Sequence, residues 1–414
     1  MKVFKFGGAS VKDPKGIRNT LKIIQQYPGE PLLVVVSAIG KTTNALEKIH
    51  ELSHAKKDFS KELADIKNFH TRITYELFPT DHLVHGVLDK IFEELEESLK
   101  LPYPFDQVYD QVISKGELIS SYILHHFLLK HNISSVWVDA RQYIVTDETY
   151  REGKVNWELT EEKIETLERR LDDNIIITQG FIGSTLRGFT TTLGREGSDF
   201  TAAIFAYCLN AESVTIWKDV PGVMSSDPKR LPDSIVFTEL PYKEAAEMTY
   251  YGASVIHPKT IKPLANKNIP LLVKNFDDPS LPGTIIHDCQ VPDLPPLIVF
   301  KDNQCLISCK VTDYSFINEQ QMGLIFNVLS ELDVKINMMQ NSAISFSFCI
   351  DFRESKVSAL IKKLHEQFEV YYNVGLTLIT VKNYDTKTFE TYRKHKGLLM
   401  EQVSRSTLQV LVKS

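Results

Sequence analysis

Lys2-Val3-Phe4-Lys5-Phe6-Gly7-Gly8-Ala9-Ser10 decides the fold class: an apolar run, Val3–Phe6, stops at two glycines and gives way to Pro14–Tyr27, whose polar start and apolar periodicity predict a helix. A strand that leads through a glycine turn into a helix is half of a parallel β-α unit. The alternation continues downstream. Leu32–Val36, Ser135–Val138, Ile175–Thr178, Val214–Trp217 and Leu271–Val273 read as further strands, and Thr43–His54, Asp106–His131, Glu161–Leu171, Ser198–Leu209 and Tyr242–Tyr251 as helices. This is a doubly wound α/β layout. Phe59–Leu99 lacks any strand signal and carries Glu93-Glu94-Leu95-Glu96-Glu97, so it reads as an inserted helical pair with a solvated acidic face.

Composition shifts at Asp277-Asp278-Pro279-Ser280-Leu281-Pro282-Gly283 and at Pro292-Asp293-Leu294-Pro295-Pro296, where proline stops helices and central strands; the linker is expected there. Beyond it, strand Cys305–Val311, helix Asn318–Leu332, strands Lys335–Gln340 and Ala343–Phe352, helix Lys356–Phe368 and strand Val374–Val381 give a β-α-β-β-α-β order, the ferredoxin-like α+β arrangement. Helix Thr386–Lys394 and strands Leu398–Val403 and Thr407–Val412 partly repeat it. Two regions are therefore expected, residues 1–290 and residues 298–414, the second a tandem whose second module is short.

With 414 residues, 43% apolar and 24% charged, the chain is long enough for two or three domains. A net charge of -6 lacks the clustered lysine and arginine that nucleic acid or an anionic membrane requires. Cys208, Cys289, Cys305, Cys309 and Cys349 form no CxxC pair and no Cys/His spacing of the zinc type, so reduced, mostly buried thiols are expected. No apolar h-region opens the chain and no apolar run approaches a membrane span, so the expected location is cytoplasmic.

Three segments carry candidate chemistry. Gly7 and Gly8 permit close approach of backbone N–H groups to phosphate oxygens, with Lys5 supplying positive charge; read alone, the same pair makes an ordinary tight turn. Gly40-Lys41-Thr42 is no P-loop, because that motif needs glycine where Val35 stands. Thr190-Thr191-Thr192-Leu193-Gly194-Arg195-Glu196-Gly197-Ser198-Asp199 sets an arginine, a serine and a carboxylate at a helix N-terminus, the end that attracts anions, although Ser198 or Asp199 also suits a plain N-cap. Ile216-Trp217-Lys218-Asp219-Val220-Pro221-Gly222-Val223-Met224-Ser225-Ser226-Asp227-Pro228-Lys229 ends a strand in a charged loop that suits either a nucleotide or a surface turn.

Together with Gly180-Phe181 and Tyr251-Gly252-Ala253-Ser254-Val255-Ile256-His257-Pro258, these motifs resemble, in order and over nearly the whole chain, the aspartate kinase family with its C-terminal ACT modules. The resemblance implies a three-layer αβα amino-acid kinase sandwich followed by the ferredoxin-like ACT region. It implies an ATP-dependent phosphotransferase that acts on the β-carboxylate of L-aspartate, the first step towards lysine, threonine and methionine. Lys5 and Asp199 inherit the catalytic roles; Ser37, Thr43, Glu117, Phe181, Arg195 and Ser198 line the aspartate pocket. Arginine can grip the α-carboxylate bidentately, and Glu117 can accept from the ammonium group. Lys5, Gly7, Gly8, Ser10, Lys218, Asp219, Met224, Lys229 and Ser254 fall at the ATP positions. Mg2+ is implied between the phosphates, held by them and by water, with no protein ligand.

The chain departs from the family pattern at Lys218, Met224, Lys229 and Ser254, and at Glu196, where an extra carboxylate replaces a common glycine and is expected to point outward. His257 is expected to have a structural role. ACT modules imply a homo-oligomer, a dimer or a tetramer, and either an amino-acid effector or a purely structural, dimer-forming pair; the stretch Phe316–Met322 lacks the glycine that often opens the first ACT helix. No homoserine dehydrogenase region is expected to follow, which implies a monofunctional enzyme. The alternatives are another enzyme of the amino-acid kinase family, such as a glutamate 5-kinase or uridylate kinase, and a catalytically inactive amino-acid sensor.

Overall fold

Four of the five residues of β1 (Lys2–Phe6) are buried, and all five of β2 (Leu32–Val36), the pattern of parallel strands covered on both faces. The computed structural model describes residues 1–171, 174–253, 256–312 and 315–413. These form two units: residues 1–223, 236–246 and 256–291 make one, and residues 224–235, 247–253 and 292–413 the other.

In the first unit, β1 leads through α1 (Pro14–Ile24) to β2, and then through α2 (Thr42–His54), α3 (Ser60–Leu77), α4 (Val84–Ser98), α5 (Phe105–Ile113) and α6 (Lys115–Lys130) to β3 (Ser135–Val138). There follow β4 (Val145–Thr146), α7 (Trp157–Glu165), α8 (Glu168–Leu171), β5 (Ile175–Gln179), β6 (Ile182–Thr185), β7 (Thr190–Thr192), α9 (Gly197–Cys208) and β8 (Ser213–Lys218). The chain then runs through β9 (Glu239–Pro241), α10 (Tyr242–Tyr250), α11 (Pro258–Asn266), β10 (Leu271–Asn275) and β11 (Thr284–His287). The main sheet has the order β3-β5-β2-β1-β8-β10-β11-β9, parallel from β3 to β10, with β11 antiparallel to β10. With helices on both faces, it is the αβα sandwich expected. The inserted helical pair is α3 and α4, and Glu93, Glu96 and Glu97 are exposed on α4 while Leu95 is buried.

Several differences from the sequence reading have local causes. The single helix expected over 106–131 breaks at Ser114, whose hydroxyl donates to the Gln111 carbonyl at 3.0 Å. The helix expected from Glu161 begins at Trp157 because Asn156 caps it, accepting from the Leu159 N–H at 3.2 Å. The sheet of β4, β6 and β7 is short and rich in threonine, without an apolar run to announce it. The stretch Asp277–Gly283, expected as linker, is the connection of an antiparallel pair: β11 returns beside β10 in the register Leu271↔Ile286. Gly283 makes that return at φ +75°, with the Val273 carbonyl where a Cβ would stand. Only the second proline cluster coincides with the end of the unit.

The second unit contains β12 (Leu297–Lys310), α12 (Glu319–Glu331), β13 (Ile336–Asn341), β14 (Ser345–Asp351), α13 (Glu354–Leu364), β15 (Glu369–Lys382), α14 (Thr386–Arg393), β16 (Leu398–Val403) and β17 (Thr407–Lys413). Its antiparallel sheet runs β13-β14-β12-β15-β17-β16. The ferredoxin-like order is present. β12 and β15, fourteen residues each, are long enough to serve two cores. One is built on Ile307, Phe348 and Val357, and the other on Ile379, Val381 and Val410 with Phe389 and Tyr392 of α14.

Candidate active site

Lys5, one residue before the end of β1, faces the first turn of α9, where Asp199 sits. Their ion pair is 2.6 Å long and buried, with side chains 11% and 3% exposed. Lys218 closes the neighbouring strand β8, and its Nζ lies 3.7 Å from the other Asp199 oxygen. Burial pushes the Asp199 carboxyl up, but Lys5 and Lys218 outweigh it and hold the group below the usual carboxylate range. Two ammonium groups on one carboxylate leave a surplus positive charge, at a point where water is largely excluded. Such a charge is suited to an incoming phosphoryl group.

A cavity of about 570 Å³ opens beside this pair, lined by Ser37, Thr43, Glu117, Phe181, Arg195 and Ser198 as well as Lys5, Gly8, Asp199 and Lys218. All six residues assigned to the aspartate pocket thus meet around one space with both catalytic candidates. Glu117 enters from the first turn of α6, which can approach α2 because Gly116 has no Cβ to crowd Ala38 and Thr42, each only 3.0 Å away. Glu117 is 3% exposed, and its Oε2 has no hydrogen-bond partner. Burial pushes its carboxyl up to about 8, against the opposing pull of backbone N–H groups, Ala38's among them. An unpaired buried carboxyl of this kind is costly until a cation arrives.

Phe181 takes a left-handed φ of +73°, anchored by its N–H to Thr201 Oγ1 at 2.9 Å and by its carbonyl, which accepts from the Leu193 N–H at 2.8 Å. Its ring fills the space over Gly197, where a Cβ would come within 2.6 Å. Arg195 is exposed at the cavity mouth.

The remaining nucleotide positions are distributed. Around Gly7 only Lys5 Nζ would lie near an added Cβ, at 3.5 Å, so the backbone there is open beside the ammonium. Gly8 is needed for packing as well, since a Cβ would meet the Ala38 carbonyl at 2.5 Å. Ser10 turns inward and donates to the Trp217 carbonyl at 3.4 Å. Asp219 lines a second cavity, with Lys12, Lys15 and Arg18. Met224 and Lys229 belong to the second unit, and Ser254 lies outside the described residues.

Glu196 does not point away: it lines the cavity in a left-handed conformation, φ +54°, and its Oε2 is buried without a partner. Its place between Arg195 and Gly197, at the turn into α9, sets that direction. His257 caps α11, accepting from the Lys259 N–H at 3.2 Å, a structural role as expected.

Sequence reasoning passed over Tyr109, Arg151 and Glu152, which also line the cavity. Arg151 lies 4.1 Å over the Tyr109 ring and reaches Asp106 and Glu47 at 3.4 and 3.5 Å. Asp110, fully buried, holds this wall by accepting from the N–H groups of Arg151 and Thr192 at 3.0 and 2.9 Å and from the Thr192 hydroxyl at 2.7 Å. A signal was present. The tripeptide Arg-Glu-Gly occurs at 151–153 and again at 195–197.

A sandwich that gathers ammonium, guanidinium and an unpaired buried carboxyl at the C-terminal ends of its strands is a scaffold for small charged metabolites. The chain belongs to the amino acid kinase family, whose model matches residues 1–275. Its relatives narrow this to the aspartokinases. It is 30% identical to lysine-sensitive aspartokinase 3 of Escherichia coli K12 over 92% of this chain and 86% of that protein. It is 31% identical to the chloroplastic bifunctional aspartokinase/homoserine dehydrogenase 2 of Arabidopsis thaliana over 90% of this chain, and spans only 42% of that relative's length. The crystal structure of E. coli aspartokinase III in complex with aspartate and ADP superposes with a TM-score of 0.83 at 27% identity, covering 100% of this chain and 96% of that one. Among the described residues no helix is long and apolar enough to cross a membrane.

Proposed function

We propose that this chain is an aspartate kinase that converts ATP and L-aspartate to ADP and 4-phospho-L-aspartate. The observation that carries the reading is Glu117: a buried carboxyl with an unpaired oxygen, in the wall of the cavity that also holds Lys5 and Arg195. Glu117 receives the substrate ammonium, and Arg195 with Ser198 takes the α-carboxylate. The β-carboxylate then lies towards Lys5. It is ionised at neutral pH, with a reference pKa of about 3.9, so no general base is needed. A β-carboxylate oxygen attacks the γ-phosphorus, the bond from phosphorus to the bridging oxygen breaks, and the electron pair leaves on ADP. Lys5, oriented by Asp199, neutralises charge on the transferring group, while Lys218 and the open backbone at Gly7 serve the phosphates. Mg2+ bound to the phosphates supplies further charge neutralisation, and the lysines around Asp199 fit an anionic metal-phosphate partner.

An ADP-release assay with aspartate, glutamate, N-acetylglutamate and UMP as acceptors tests the reading. Turnover with aspartate is expected. Turnover only with another acceptor, or with none, overturns it. The second unit supports two further parts of the proposal: an amino-acid effector, with lysine the first to try because the E. coli relative is lysine-sensitive, and a homodimer formed through its sheet edges. Inhibition assays with lysine, threonine and methionine, and sedimentation of the purified chain, check these two.

A further inference from the structure

Three side chains of unlike chemistry converge at the far edge of the main sheet. β9 is its edge strand and pairs in parallel with β11, in the register Ile285↔Glu239 and His287↔Pro241. Glu239 and His287 are therefore diagonal neighbours on adjacent strands, within reach of each other. Cys289 stands two residues beyond His287. Nε2 of His287 hydrogen-bonds Glu239, and so does the thiol of Cys289. A carboxylate oxygen, an imidazole nitrogen and a thiol sulfur thus lie within 4.8 Å of one another, none of the three side chains being buried.

We propose that Glu239, His287 and Cys289 bind a divalent cation of the zinc class, with water in the fourth position, and so clamp the edge strand β9 to β11. The donor set selects the ion. Magnesium and calcium take oxygen ligands, whereas nitrogen with sulfur favours zinc and its borderline neighbours. Tetrahedral zinc with ligand bonds of about 2.0–2.3 Å sets its ligand atoms roughly 3.3–3.7 Å apart. The three ligand atoms lie within 4.8 Å of one another, and rotation of side chains that are not buried spaces them for this geometry without moving either strand. A thiolate and a carboxylate together match the two positive charges of the ion.

No sequence spacing announces the site, because Glu239 comes from a strand nearly fifty residues before His287. Among the described residues this is the one group of three potential ligand side chains drawn so close together. The other four cysteines are buried, which leaves Cys289 as the thiol open to an incoming ion.

The test is a titration of the full chain, stripped of metal and free of nucleotide, with Co2+ as a spectroscopic stand-in for zinc. About one equivalent is expected to bind with a thiolate-to-cobalt charge-transfer band, and Zn2+ should displace it. Cys289→Ser should abolish the band, and both Cys289→Ser and His287→Gln should weaken Zn2+, measured against a chromophoric chelator, by roughly 100-fold. Should the serine variant fail to fold, the zinc affinity of His287→Gln decides between the same two outcomes. Absence of the band in the parent protein, its persistence in Cys289→Ser, or unchanged zinc affinity in His287→Gln would each overturn the proposal; the trio is then only a hydrogen-bonded strand edge.

Discussion

Replacing Glu117 by glutamine should stabilise the free protein while crippling it as a kinase. Burial holds this carboxyl neutral up to about pH 8, against an ordinary value of 4.5. Between those limits the native state keeps a proton that the unfolded chain has released, so unfolding becomes easier as pH rises. The stability associated with the neutral form is complete below pH 4.5 and is lost as pH climbs through 8. At ~1.4 kcal/mol per decade the whole interval amounts to about 5 kcal/mol. Glutamine has nearly the same shape and carries no charge at any pH. Denaturant unfolding of both proteins without ligand, from pH 4.5 to 9, should show the variant gaining on the parent by up to about 1.4 kcal/mol per pH unit. Aspartate should close the gap by supplying an ammonium partner to the parent's carboxylate. The same substitution should lower kcat/KM for aspartate by roughly 30-fold to several thousand-fold, since losing one member of a buried charge pair costs about 2–5 kcal/mol. A stability difference that stays constant with pH would refute the placement of Glu117 as an uncompensated buried acid.

Lys5→Ala should reduce kcat by about 10²–10³-fold with little change in KM for aspartate, as steady-state kinetics would show, because the role proposed for the ammonium is on the transferring group and not on the acceptor. Glu196→Gly should remove the left-handed strain at φ +54° and an unpaired carboxylate, raising stability by about 1 kcal/mol in chemical denaturation and lowering KM for aspartate. Asp110→Ala leaves three donors of the cavity wall unpaired, and a loss of about 3 kcal/mol in unfolding free energy should accompany it.

The parallel strands were legible because each is a closed apolar run bounded by turn residues, and β2 and β3 fall where the pattern ends them. The antiparallel return of β11 was not, because Thr284–His287 is four residues long and follows a proline-rich turn that also suits a linker. In the cavity, Lys5, Arg195 and Asp199 sit in motifs that read locally, on glycine turns and at a helix start. Arg151 and Asp110 act through a contact between a loop and a helix some forty residues apart, and no local pattern encodes it.

Backbone conformation locates the site independently of those motifs. Ten described residues other than glycine have positive φ, and six of them are asparagine or aspartate, which tolerate that region. The other four are Lys56, Arg151, Phe181 and Glu196. Three of these line the cavity. Sequences that fold well agree with their local preferences almost everywhere, so violations that gather around one space, beside an unpaired buried acid, mark where structure has been shaped by a ligand and not by folding alone. Arg151 and Glu196 each break the local rule within an Arg-Glu-Gly tripeptide, the first at its arginine and the second at its glutamate, so both copies turn the chain sharply at the cavity wall.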